Sequence, residues 1–146
     1  MNKQKHKQVI ALQNRTSESS KLSDFLAEFI STNGIPDMIH NDLRLAAEEA
    51  FINIVNYAFP NKETDTISIE ISSASNTVSI TFIDSGIEFN PLLPLNNNSD
   101  KDTKDFSEGG LGIHLIKSLT DKQEYNRINQ RNVFTVTKNY SKHYTK

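Results

Sequence analysis

The sequence predicts an α+β fold: a two-layer α/β sandwich in which a mixed, mostly antiparallel sheet is covered on one face by about three helices. Three observations carry this. Two helical periodicities follow one another with no strand between them, two alternating stretches are joined by a short Ser/Asn turn, and simple βαβ alternation is missing, which argues against a doubly wound sheet. The order reads strand, helix, helix, strand, strand, loop, helix, strand, strand, with no internal repeat.

Taken in turn, residues 8–13 are short and apolar enough for a strand. Residues 17–32 carry Leu22, Phe25, Leu26, Phe29 and Ile30 at helical spacing, and Gly34 marks the stop. Pro36 and Asp37 open a long central helix, HNDLRLAAEEAFINIVNYAF, which runs to Phe59 and is ended by Pro60. Ile67, Ile69 and Ile71, then Val78, Ile80 and Phe82, alternate as the strands of a hairpin around residues 73–76. Residues 92–108, which include NNNSDKDTKDFSE, are too polar to pack, and a loop of that length in a small domain has a function. A glycine-opened helix over 109–120 and a closing pair of strands over 123–127 and 133–138 complete the chain.

With 146 residues the length predicts one compact domain spanning 1–146. Lys plus Arg number 16 against 18 Asp plus Glu, a formal charge of −2, so the clustered cationic footprint that nucleic acids require is not expected. The basic cluster Lys3, Lys5, His6 and Lys7 precedes only four apolar residues, too few for a signal peptide. No apolar stretch approaches the roughly 20 residues that span a bilayer. A soluble, cytoplasmic protein is therefore expected, without disulfides or thiolate metal sites because there is no cysteine.

Three places carry chemistry. On the central helix Leu43, Ala47, Ala50, Phe51, Ile54 and Ala58 fall on one side, the expected core face, while Glu49, Asn53 and Asn56 fall together away from it. The i, i+4 pair Glu49 and Asn53 offers a proton acceptor beside an amide oxygen, a hard ligand suited to Mg²⁺. After the second hairpin strand, IDSGIEFNP places Asp84 where it can accept a hydrogen bond from an amino group, and Gly86 where a flat ligand can approach the backbone. Finally EGGLGIHLIKSL sets Gly109, Gly110 and Gly112 at a helix entrance, where bare amides favour phosphate oxygens. Neither the dinucleotide glycine pattern nor the P-loop is met.

EEAFINIVNYAF, DSGIEFNP and GGLGIHLIKSLTD, in that order, resemble the motifs of the GHKL (Bergerat-fold) ATPases, a histidine kinase-like ATPase superfamily, and most closely its short anti-sigma-factor serine/threonine kinases. The closing YNRINQRNVFTVTK is similar to the family's last hairpin. The resemblance implies ATP and Mg²⁺ as cofactors, Asn53 as the ligand of the Mg²⁺ that bridges the nucleotide phosphates, and Glu49 as the catalytic base; Glu48, about 100° around the helix, is the second choice on position alone. It implies Asp84 and Gly86 at the adenine, Gly110 and Gly112 at the phosphates, and residues 92–108 as the ATP lid. It further implies phosphorylation of a serine on a STAS-class antagonist, sequestration of a sigma factor, and a homodimer. The sequence departs from the pattern at Tyr57, where a histidine is common, and at Glu88, which replaces a glycine. The alternative is an ATP-gated protein-binding module without phosphotransfer. His114 is read as a packing or lid residue.

Overall fold

The computed structural model describes residues 5–93 and 110–140. The elements are β1 (His6–Gln13), α1 (Ser19–Thr32), α2 (His40–Tyr57), β2 (Thr66–Ala74), β3 (Thr77–Asp84), α3 (Gly110–Leu119), β4 (Lys122–Ile128) and β5 (Arg131–Asn139). The strands form one sheet in the order β1-β2-β3-β5-β4. Every pairing is antiparallel, so the expected mixed sheet is a purely antiparallel one. Single 3₁₀ turns, Thr16–Glu18 and Asp37–Ile39, precede α1 and α2, so α2 starts at His40 rather than at Pro36 and ends at Tyr57, two residues before Phe59.

Local chemistry sets these boundaries. Asn33 caps α1, Gly34 follows at φ +66° and the Ile35 N–H donates back to the Ile30 carbonyl at 3.2 Å, a Schellman ending. Both hairpins turn on two residues of positive φ, Ser75 and Asn76 between β2 and β3, and Asn129 and Gln130 between β4 and β5. This turn geometry matches the strand twist. The buried Glu18 fastens the exit of β1, accepting from the Gln13 N–H at 2.9 Å while it pairs with Lys21 at 2.9 Å.

The period-2 pattern of the central strands puts Ile67, Ile69, Ile71, Val78, Ile80, Phe82, Phe134 and Val136 on one fully covered face. Against it lie Leu22, Leu26, Phe29 and Ile30 of α1, Leu43, Ala47, Ala50, Phe51 and Ile54 of α2, and Ile116 of α3. The other face carries Ser79–Thr137 and Thr81–Thr135 hydroxyl pairs. Helix α2 packs against both α1 and α3 and so stands centrally in the helical layer. Among the described residues no helix is long and apolar enough to cross a membrane.

Candidate functional site

Asp84 ends β3, the middle strand of the sheet, and is 2% exposed. Its Oδ1 accepts from the Gly86 N–H at 2.8 Å and from the Asn132 amide at 2.9 Å. Its Oδ2 is buried and, among the described residues, has no hydrogen-bond partner. Burial pushes the carboxyl above its ordinary range, while Asn132, the Gly86 amide and the charge of Arg127 pull it back toward the ionised form. A bare, buried acceptor costs free energy unless a donor reaches it, and an exocyclic amino group of a flat base is such a donor.

Gly86 also has a packing role that the sequence does not show. A Cβ there would overlap the Ala58 carbonyl oxygen and lie 2.8 Å from the Ala58 Cβ, and the next amide, Ile87 N–H, donates to that same carbonyl at 2.9 Å. The glycine thus lets the turn after β3 close onto the last turn of α2, which brings Asp84 beside the helix. Gly86→Ala is expected to cost about 1–3 kcal/mol or more, because a backbone carbonyl cannot move aside as a flexible side chain would. Thermal unfolding checks this; an unchanged Tm would reject the packing.

On α2 the sequence reading needs one correction. Asn53 does not face away from the protein: it is 6% exposed and belongs to the buried set. At 100° per residue it borders the buried Ala46, so the covered arc is wider than the six apolar positions suggested. Glu49, about 40° further round, is half-buried, and Asn56, about 20° beyond, is exposed. Among the described residues neither Asn53 nor Glu49 has a hydrogen-bond or ion-pair partner, whereas Glu48 is engaged by Arg44 at 3.5 Å. Tyr57, one turn on from Asn53, meets Phe89 with ring centroids 5.6 Å apart. One side of α2 therefore presents a carboxylate, an amide and an aromatic ring in successive turns. An amide oxygen with this setting fits Mg²⁺, which takes few protein ligands and completes its shell with water and phosphate oxygens.

Sequence reasoning missed the residues that fix the turn after β3. Asn132, 2% exposed, stands opposite Asp84 in the β3–β5 register. Besides Asp84 it binds the Ile87 carbonyl and accepts from the Phe89 N–H, the Tyr125 hydroxyl and Arg127. Arg127 also donates to the Gly86 carbonyl at 2.9 Å. The available signal was an asparagine at an inward position in line with Phe134 and Val136. Glu88 is exposed, and its charge, after burial, raises the Tyr125 phenol.

Gly110 and Gly112 occupy the first turn of α3. Gly109 and almost all of the expected lid, residues 92–108, lie outside the described residues. His114 is exposed on α3. A cleft of about 490 Å³ opens at the C-terminal end of α2, between Val55, Asn56 and Phe59 and the residues Arg15 and Lys62; it holds Asn56 of the polar face but not Glu49, Asn53, Asp84 or Gly86.

The profile of the histidine kinase-like ATPase domain matches residues 12–138 of this chain. The chain is 28% identical over 95 residues to the serine/threonine-protein kinase BtrW of Bordetella bronchiseptica, covering 65% of this chain and 67% of that protein. It is 29% identical over 108 residues to the serine-protein kinase RsbW of Oceanobacillus iheyensis, covering 68% and 64%. With RsbW of Bacillus licheniformis the figures are 32% over 85 residues, 56% and 53%. The chain spans between about half and two thirds of the length of these curated relatives.

Proposed function

Because this chain belongs to the histidine kinase-like ATPase domain family, we propose that it binds ATP with Mg²⁺ and transfers the γ-phosphate to a serine of a STAS-class protein, as a partner-switching regulator that also sequesters a sigma factor. The observation that carries the nucleotide reading is the buried, unpartnered Asp84 Oδ2, an acceptor suited to the adenine amino group. The names of the relatives, serine and serine/threonine kinases, support the transfer.

In this reading Asp84 binds the base, with Gly86 holding the turn that presents it, and Gly110 and Gly112 bring backbone amides to the phosphates. Asn53 would hold Mg²⁺, which neutralises phosphate charge when bound. Glu49 takes the proton of the attacking serine hydroxyl, and its lack of a described ion-pair partner suits that task better than the Arg44-paired Glu48.

The test is an ATP titration with and without Mg²⁺, followed by incubation with labelled ATP and a STAS protein encoded nearby. Mg²⁺-dependent binding and label on a STAS serine are expected. Binding without transfer would favour the gated binding module, and no binding would remove the Asp84, Asn53 and glycine assignments together.

A further inference from the structure

The amide of Asn132 has no freedom to turn over. Its Oδ1 accepts from the Phe89 N–H at 3.1 Å, the Tyr125 hydroxyl at 2.6 Å and Arg127 Nη1 at 3.0 Å. Its Nδ2 donates to Asp84 Oδ1 at 2.9 Å and to the Ile87 carbonyl at 2.8 Å. A flipped amide would set its nitrogen against donors and its oxygen against acceptors, so the donor aimed at Asp84 is fixed by every other contact that Asn132 makes. For Asp84 the consequence is an occupied Oδ1 and a buried, bare Oδ2. A carboxylate bound in this way offers an acceptor and nothing else.

We propose that Asn132, held by Tyr125 and Arg127, is the positioning residue that makes the site select a 6-aminopurine nucleotide over a 6-oxopurine one. This rests on the reading that Asp84 meets the base of ATP. An acceptor-only Oδ2 pairs with an amino group and repels a carbonyl oxygen. A protonated Asp84 would instead present a hydroxyl, which a 6-oxo group accepts.

Asn132→Asp separates the two halves of the amide. It keeps an oxygen for Phe89, Tyr125 and Arg127, but it takes the donor away from the Ile87 carbonyl and places a second carboxylate oxygen against Asp84. Two carboxylates at hydrogen-bond distance share a proton. Arg127→Met, at an exposed position, is the second variant and removes the donor to both Asn132 and Gly86.

The experiment compares Kd values for ATP, ITP and purine riboside triphosphate, which lacks a 6-substituent. In the unaltered protein ATP should bind about 10- to 100-fold more tightly than the purine analogue, the scale of a hydrogen bond to a charged acceptor, and still more tightly than ITP. Asn132→Asp should cut the ATP-over-ITP preference at least about tenfold, with affinity for the purine analogue held within about threefold. Arg127→Met should cut it about three- to tenfold and decides the matter if Asn132→Asp does not fold. An unchanged preference in a folded variant overturns the role of Asn132 and leaves the Asp84 reading standing. Equal binding of ATP and the purine analogue by the unaltered protein, or no ATP binding, overturns both.

Discussion

Glu49→Ala is expected to slow phosphoryl transfer by about 10²- to 10⁴-fold, the range for a lost general base, with ATP affinity retained. The carboxylate stands half-buried on the side of α2 that carries Asn53, with no described partner to satisfy it. Among the described residues no ion pair has to break before it takes a hydroxyl proton. Because that proton moves only in the transition state, the loss falls on kcat and not on KM. Glu48→Ala is the internal comparison: its carboxylate is already engaged by Arg44 on the helix surface, and transfer should remain near normal. Initial rates of label transfer, set beside ATP titrations of both variants, measure this. Near-normal transfer by Glu49→Ala would reject the role.

The fold was legible wherever burial follows a simple period. Ile67, Ile69 and Ile71 face inward because the strand period is two, and Leu43, Ala47, Ala50, Phe51, Ile54 and Ala58 are all buried, as helical spacing requires. Polar positions at the margin of such a pattern were not legible. Asn53 looks solvent-facing by residue type, yet it borders Ala46 on a helix that packs against two others. Gly86 was readable as a turn residue, but the atom that forbids a side chain there belongs to Ala58, a contact that local sequence does not encode.

Asn132 shows the same limit from the other direction. Its importance comes from the β3–β5 register, which sets it against Asp84 across 48 positions of chain, and from β4, which supplies Tyr125 and Arg127. A pattern read along the chain finds the strand and its inward face, but pairing partners emerge only when the sheet is assembled. Glu49, Asn53 and Asp84 stand out as candidates because their motifs are local; the network that holds Asp84 in place is not local.

Asn53→Ala is expected to abolish the Mg²⁺-dependent part of nucleotide binding, a loss of at least about 10²-fold, since even the outer groups of metal sites act on a scale of 10- to 100-fold. Among the described residues there is no cluster of three His, Cys, Asp or Glu side chains to hold the ion instead. One protein oxygen is enough for Mg²⁺ when phosphates and water supply the others. The measurement is ATP affinity in Mg²⁺ and in chelator: the variant should bind equally in both, at the level of the unaltered protein in chelator. An unchanged response to Mg²⁺ would sink the assignment. Asn53→Asp sharpens the argument, because it keeps an oxygen ligand but adds a charge at a position 6% exposed. It should retain the response to Mg²⁺ while binding metal-free ATP more weakly than the unaltered protein, since a carboxylate at that depth repels the phosphates until a cation lies between them.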